Sequence, residues 1–137
     1  RGLGDVYKRQ DPNNIFVAEF IGSPKMNIIK INKDQIINSN TIELFKNKIT
    51  FENFEFKDEI YLGVRPENIS INDDNEIKLD VKVDLIENLG FEKIIYTKIS
   101  GNEIIIKSSE NGTGQSLKIS FSKDKVLFFD KSKKRIR

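Results

Sequence analysis

The stretch IKLDVKVDLI (77–86) decides the fold class, because apolar and polar residues alternate through it with a period of two. Every second residue from Ile77 to Leu85, including Val81 and Val83, is aliphatic and falls on one face. Such alternation predicts a β-strand that buries one face against a core and exposes the other to water.

The chain from Met26 onward repeats this pattern in short β-rich runs. They are NIIKI, QIIN, KITF, IYLGVR and ISI on one side of this strand, and KIIYTKI, EIIIK, LKISF and KVLFF on the other. Turn-forming stretches such as NDDN, SGNE and ENGTG separate the runs. Short strands at this spacing favour a mainly all-β fold, an antiparallel barrel or sandwich, over a layered α/β fold.

One short helix is predicted before the strands, in DPNNIFVAEFIGSP (11–24). Asp11 can cap its N-terminus, Pro12 suits the first helical position, and Gly22 can end the helix before Pro24. Apolar residues four apart give the helix one apolar face. A helix this short is not stable alone, so that face must pack on something.

The composition excludes several kinds of chemistry. The chain has 137 residues, of which 37% are hydrophobic and 32% charged, and it contains neither Cys nor His. Disulfides, thiolate metal sites and the usual general base are therefore absent, and the lack of Cys fits a reducing cytosol. Neither a P-loop nor a dinucleotide fingerprint occurs. We therefore predict no enzyme activity in this chain and no catalytic, cofactor-binding or metal-binding residue.

Residues 1–10, RGLGDVYKRQ, are treated separately because no hydrophobic period links them to the chain from Asp11 onward. DVYKRQ resembles a translation of the transposon-end adapter used in sequencing libraries. We interpret these residues as a disordered adapter artefact joined to a truncated coding sequence; the alternative is a genuine basic arm. Without Arg1, Lys8, Arg9 and Asp5 the formal charge falls from +2 to zero. A neutral domain gives no electrostatic argument for nucleic-acid binding.

LGVRPENIS (62–70) places Arg65, Pro66 and Glu67 directly after a predicted strand. Pro66 favours an extended conformation at Arg65 and opens a turn that Glu67 can support. One interpretation is a simple strand terminator. The other is an interface, at which the Arg65 guanidinium binds a carboxylate or a backbone carbonyl.

IENLGFEKIIY (86–96) places Gly90 between Glu87 and Glu92. A glycine at this point predicts a hairpin or a bulge. The alternative is a paired-carboxylate acid/base site, but no nucleophile or His is present to work with it. We therefore favour the hairpin. The basic run KSKKRIR (131–137) is predicted as a solvated tail.

Four stretches, DPNNIFVAEFIGSPKMN, LGVRPENI, VDLIENLGFEKIIY and LFFDKSKKRI, occur in the order and approximate spacing of one family. They resemble the ATP-binding subunits of bacterial carbohydrate ABC importers, of the maltose, trehalose or glycerol-3-phosphate type. The resemblance covers residues 11–137 and falls on the C-terminal regulatory (TOBE) domain. It implies an OB-like antiparallel β-barrel or sandwich over residues 26–137. Residues 11–25 would be the helix and hinge that leave an ATPase domain.

The resemblance also assigns residues to roles. The hinge and first strand would contain Gly22, Ser23, Pro24, Met26 and Asn27. The regulatory or interface residues would be Gly63, Arg65, Pro66, Glu67, Glu87, Leu89, Gly90, Phe129 and Asp130. The end departs from the family pattern, because FDKSKKRI is one residue short and lacks the usual Thr-Gly turn.

The implied function is coupling of ATPase opening and closing to carbohydrate import. ATP and Mg would bind to the ATPase domain of a longer parent protein, not to this segment. The implied partners are a second copy, the ATPase domain in cis, the permease subunits and a regulatory protein, at the inner face of the plasma membrane. Two alternatives stay open, an OB-fold nucleic-acid-binding module and a small oxyanion-binding β-domain. Scarce Tyr, absent Trp and near-neutral charge oppose the first.

Overall fold

The computed structural model describes residues 13–15, 24–110 and 114–137, and most of these residues lie in β-strands. The strands are β1 (Asn27–Ile31), β2 (Ile36–Asn38), β3 (Thr41–Leu44), β4 (Asn47–Thr50), β5 (Ile60–Val64), β6 (Ser70–Ile71), β7 (Ile77–Asn88), β8 (Lys93–Ile99), β9 (Asn102–Ser108), β10 (Ser116–Phe121), β11 (Leu127–Asp130) and β12 (Arg135–Ile136). Short 3₁₀ turns span Lys33–Gln35, Pro66–Asn68 and Lys123–Lys125. The predicted all-β class is confirmed. The predicted helix within 11–25 falls mostly outside the described residues.

The chain forms two compact units. The first combines the described residues up to Gly63 with Val126–Arg137, and the second consists of the described residues from Val64 to Lys125. Residues 26–137, predicted as one regulatory domain, therefore contribute to both units.

The first unit contains two sheets, one with strand order β1-β5-β11-β12 and one with order β2-β3-β4. Phenylalanine rings form much of its core. The Phe128 ring centroid lies 4.8 Å from that of Phe51, 4.8 Å from that of Phe54 and 4.9 Å from that of Phe56, all edge-on. This is the favoured geometry for aromatic pairs, so these residues pack rather than present stacking platforms.

The C-terminal basic run is part of this unit and not a solvated tail, so that expectation is wrong. β12 pairs with β11, placing Ile136 opposite Phe128. The backbone N–H of Arg135 donates to the Asn13 carbonyl over 2.7 Å, and Ile15 N–H donates to the Lys133 carbonyl over 3.1 Å. Backbone pairing orders this segment although its side chains are mostly charged.

The second unit is a five-stranded antiparallel sheet with order β6-β10-β7-β8-β9. Its edge strands β6 and β9 approach each other, so the sheet curls in the manner of an OB-like barrel. β7 is the longest strand, with 12 residues. Ile77, Leu79 and Val81 are buried as the alternation predicts.

The alternation in β7 ends at a β-bulge between Val83 and Leu85. The sequence predicts Leu85 on the buried face, but this side chain is exposed. From Asp84 to Asn88 every side chain of β7 is exposed, so both faces of this end of the strand meet solvent and Leu85 has no core to pack on.

Candidate functional site

The predicted hinge is described only in part. Gly22 and Ser23 lie outside the described residues. Met26 is buried with Ile15 and Phe129 in one apolar cluster of the first unit, and Asn27 begins β1. The part of the hinge that the structure describes is thus anchored in a core.

Gly63 lies against the same cluster. A Cβ at this position would come within 2.6 Å of the Met26 sulfur, 3.2 Å of Phe129 Cε2 and 3.3 Å of Ile28 Cδ1. Real Cβ atoms do not approach neighbours as closely as 2.6 Å, so a side chain at this position would force the Met26 side chain to shift. Gly63 and Phe129, predicted as interface residues, are brought together with Met26 in the interior of the unit.

Asp130 shapes the turn between β11 and β12. Its Oδ1 accepts hydrogen bonds from the backbone N–H groups of Ser132 (2.8 Å) and Lys134 (3.0 Å). Lys133, in the same turn, has a φ of +68°. A side-chain carboxylate therefore closes this turn.

Replacing Lys133 by glycine is expected to stabilise the chain by about 1 kcal/mol, because a left-handed φ is costly for a residue with a Cβ. Urea unfolding measures the effect. Gly114 has a positive φ of +98°, so Gly114→Ala is the control and should destabilise. A destabilised Lys133→Gly variant would contradict the turn geometry.

Arg65, Pro66 and Glu67 form the turn at the start of the second unit. Arg65 has φ −75° and ψ 142°, the extended conformation that Pro66 is expected to favour, so this prediction is confirmed. Its carbonyl accepts the Asn68 N–H at 3.0 Å. Pro66 is buried, whereas Glu67 is exposed, and the turn lies beside β9. Glu67 can therefore contact a partner without rearrangement.

Gly90 lies in the hairpin that joins β7 to β8. Its φ is +96°, which favours glycine, and its N–H donates to Asn88 Oδ1 over 2.9 Å. Leu89 N–H donates to the Glu92 carbonyl over 2.9 Å. The predicted hairpin is confirmed.

The two carboxylates of the hairpin have separate partners. Tyr96 Oη donates a hydrogen bond to Glu87 Oε1, and Lys107 Nζ lies 3.5 Å from Glu92 Oε1. The hydrogen bond to Glu87, with a smaller desolvation effect, raises the pKa of Tyr96 above 10.0. Because each carboxylate is engaged elsewhere, the arrangement gives no support to an acid/base pair.

Replacing Glu87 by glutamine is expected to lower the pKa of Tyr96, because the hydrogen bond from the phenol to a charged acceptor is weakened and the carboxylate charge is removed. With the folded pKa above the unfolded one, the interaction stabilises below the unfolded pKa and is lost as pH rises through the folded pKa. Absorbance titration at alkaline pH measures this shift, and comparison with Tyr96→Phe identifies the part of the absorbance change that belongs to Tyr96. An unchanged titration would contradict the Tyr96–Glu87 hydrogen bond.

The hairpin carries exposed apolar side chains, here called the hairpin patch. It consists of Leu85 (56% exposed), Ile86 (38%), Leu89 (52%) and Phe91 (85%). Four large apolar side chains exposed within seven residues are candidates for an interaction surface. Sequence reasoning identified Leu89 but missed Ile86 and Phe91. The available signal was the presence of apolar residues on both sides of a turn glycine.

The predicted site residues thus separate into two groups. Gly63, Phe129 and Asp130 support the first unit, whereas the Arg65 turn and the hairpin expose side chains on the second. Among the residues that the structure describes, no group of three or more acidic side chains is arranged to hold a metal ion. Within the same ranges, no helix has the length and apolarity needed to cross a bilayer.

Comparison with known protein families identifies a domain in this chain. The profile described as "TOBE domain" matches residues 62–129. The chain carries a TOBE domain. This TOBE domain begins in β5, ends in β11, and includes the Arg65 turn and the whole hairpin patch.

The proteins that this chain resembles in sequence are ABC transporter ATP-binding proteins. The chain is 32% identical over 127 residues to the uncharacterized ABC transporter ATP-binding protein YcjV of Escherichia coli O157:H7, covering 87% of this chain and 35% of YcjV. It is 33% identical over 98 residues to the maltose/maltodextrin import ATP-binding protein MalK of Aliivibrio fischeri, covering 67% and 27%. The oligosaccharides import ATP-binding protein MsmX of Bacillus subtilis is 31% identical over 139 residues, covering 92% and 38%. The chain spans about a third of the length of these relatives.

A solved structure with a similar fold is the cytoplasmic molybdate-binding protein ModG in its molybdate-bound form. The TM-score is 0.56 at 14% identity, over 74% of this chain and 94% of ModG. This likeness concerns the fold, and it agrees with the OB-like β architecture predicted for the TOBE domain.

Proposed function

We propose that this chain is the C-terminal regulatory and dimerisation domain of the ATP-binding subunit of a bacterial carbohydrate ABC importer. The observation that carries the proposal is the TOBE domain at residues 62–129, within a segment similar to MalK and MsmX. Both of these relatives are named as import ATP-binding proteins, and the chain corresponds to about a third of each.

The proposed mechanism is mechanical coupling. Two copies of the domain remain in contact while the attached ATPase domains open and close, so that one ATPase half stays at high effective concentration near the other. A regulatory protein that contacts Glu67 or the hairpin patch would bias one state through its differential affinity for the two.

The remaining partners belong to the same proposal. The ATPase domain in cis would bind ATP and Mg, and the permease subunits would hold the assembly at the inner face of the plasma membrane. The chain itself would be cytoplasmic and peripheral.

A chimera tests the proposal. The 98-residue segment of Aliivibrio fischeri MalK that aligns with this chain is replaced by the matching part of the chain, and maltodextrin import is measured. We expect import above that of a MalK truncated before this segment. Import no better than that of the truncated subunit, from a chimera that is present at normal level, would contradict the proposal.

The two alternatives have their own tests. A nucleic-acid-binding module would bind single strands with an affinity that falls steeply with salt, whereas we expect no such binding. An oxyanion-binding domain would give a calorimetric signal with molybdate, and we expect none. The likeness to ModG does not favour the second alternative, because at 14% identity it extends to the fold alone.

A further inference from the structure

Positive charge is concentrated at one place in the first unit. Among the described residues, this unit has more Lys and Arg than Asp and Glu, whereas the second unit has fewer. Five of the seven residues 131–137 are Lys or Arg. A chain with a formal charge of only +2 therefore carries a local basic surface, whose field extends about 8 Å in physiological salt.

The segment that carries these cations is ordered by backbone and side-chain hydrogen bonds. Asp130 Oδ1 accepts from the Lys134 N–H over 3.0 Å, and Asn14 forms a β-bridge with Lys134. Arg137 Nη2 donates to Asn13 Oδ1 over 2.9 Å. Because this backbone is already fixed, a partner does not have to order it, and the entropic cost of binding is reduced.

Three exposed lysines in and beside the turn between β11 and β12, namely Lys131, Lys133 and Lys134, are here called the basic turn. Among the described residues, Lys131 alone of the three takes part in an ion pair, with its Nζ 2.9 Å from Asp58 Oδ2. Asp130 uses its Oδ1 to close the turn. The charges of Lys133 and Lys134 are thus exposed and available to a carboxylate from outside the chain.

The backbone at Lys133 gives a second, independent indication. Its φ of +68° is a conformation that glycine adopts at lower cost than any residue with a Cβ. Strain of this kind persists at sites where function requires the residue. A lysine in place of the more stable glycine therefore points to a use for its side chain.

The surroundings of the basic turn favour an acidic protein segment over a lipid bilayer or a nucleic-acid strand. The pKa of Lys131 is raised by its hydrogen bond to Asp58 and, more weakly, by the charge of Glu59, so both carboxylates lie near this lysine. A bilayer or a nucleic acid presents phosphates over a wide area and would bring them against these carboxylates. A short acidic segment can contact Lys133 and Lys134 and avoid them.

We propose that the basic turn binds a short carboxylate-rich segment of a partner protein, with Lys133 and Lys134 as the direct contacts. This surface belongs to the first unit, whereas the hairpin patch and Glu67 belong to the second. The inference goes beyond the proposed function and does not depend on it, because neither dimerisation nor an ATPase domain enters the argument.

Fluorescence anisotropy tests the proposal, with a labelled peptide of Asp and Glu residues as the probe. We expect the double variant Lys133→Gln with Lys134→Gln to raise the dissociation constant at least about fivefold. Lys46→Gln with Lys48→Gln is the matched control, since these two lysines are also exposed at a hairpin turn of the first unit. The control removes the same charge and should change the dissociation constant by no more than about twofold. Urea unfolding confirms that both variants are folded.

Lys133→Gly gives a readout that a purely structural lysine would not produce. This variant should be more stable than the wild type and yet bind the peptide about two- to threefold more weakly. Unchanged peptide binding by Lys133→Gly would contradict the proposed contact.

Three further results would overturn the proposal. The first is an equal loss of binding in the two double variants, which would mean that net charge alone matters. The second is a wild-type chain that does not bind the peptide even at low salt. The third is tighter binding of anionic vesicles or single-stranded DNA than of the peptide at the same ionic strength.

Discussion

Replacing Phe128 by alanine is expected to lower the free energy of unfolding by about 3–5 kcal/mol. The Phe128 side chain is fully buried, and it contacts the rings of Phe51, Phe54 and Phe56 with centroid distances of 4.8 to 4.9 Å. Truncation removes buried apolar area. It also leaves a cavity, because the surrounding phenylalanine rings can move only partly into the space that is left. Urea unfolding followed by circular dichroism measures the loss.

Phe91→Ala is the matched control for this substitution. Its ring is 85% exposed at the tip of the hairpin, so we expect a change within about 0.5 kcal/mol. Equal effects of the two substitutions would mean that the aromatic cluster around Phe128 is not the core of the first unit.

Replacing Gly63 by alanine is expected to destabilise the chain by about 1–3 kcal/mol. The added methyl group would lie 2.6 Å from the Met26 sulfur, and Phe129 at 3.2 Å limits the space into which it could move. Met26 is itself buried, so its flexible side chain cannot swing into water without losing apolar burial. Thermal and urea unfolding of the single variant measure the cost.

The double variant Gly63→Ala with Met26→Ala separates crowding from other effects. If crowding against Met26 is the cause, the cost of Gly63→Ala should shrink when Met26 is already truncated, with a coupling of at least about 0.5 kcal/mol. Additive costs would show that the position is limited by something other than this contact.

The sequence predicts the strands that alternate well and fails where a local change leaves no trace in the pattern. Ile77 to Val81 behave as predicted, because one face of β7 packs on a core. Leu85 does not, because every side chain from Asp84 to Asn88 is exposed, whichever face of the strand it lies on. Periodicity does not indicate where a strand leaves the core, so the exposed hairpin patch could not be predicted from it.

The β3–β4 hairpin was missed for a different reason. Its two-residue turn consists of Phe45 and Lys46, with φ of +48° and +73°, and neither is a residue that signals such a turn. The run TIEL (41–44) was therefore not recognised as a strand. Here pairing with β2 and β4 overrides local preference.

The division into two units also could not be predicted from the sequence. β11 pairs with β5, placing Leu127 opposite Gly63, although the whole second unit separates them along the chain. No Gly/Pro-rich linker marks where the chain leaves the first unit or returns to it. The sequence does not show that Gly63 and Phe129, predicted as interface residues, are close in space. In the structure they meet at one buried contact.

Sedimentation equilibrium of the 15.8 kDa chain tests the central claim most directly, since a dimerisation domain must associate without its ATPase partner. We expect the weight-average mass to rise towards that of a dimer as the protein concentration passes through the micromolar range, about 1 to 300 μM. A mass that stays at 15.8 kDa throughout would contradict the account.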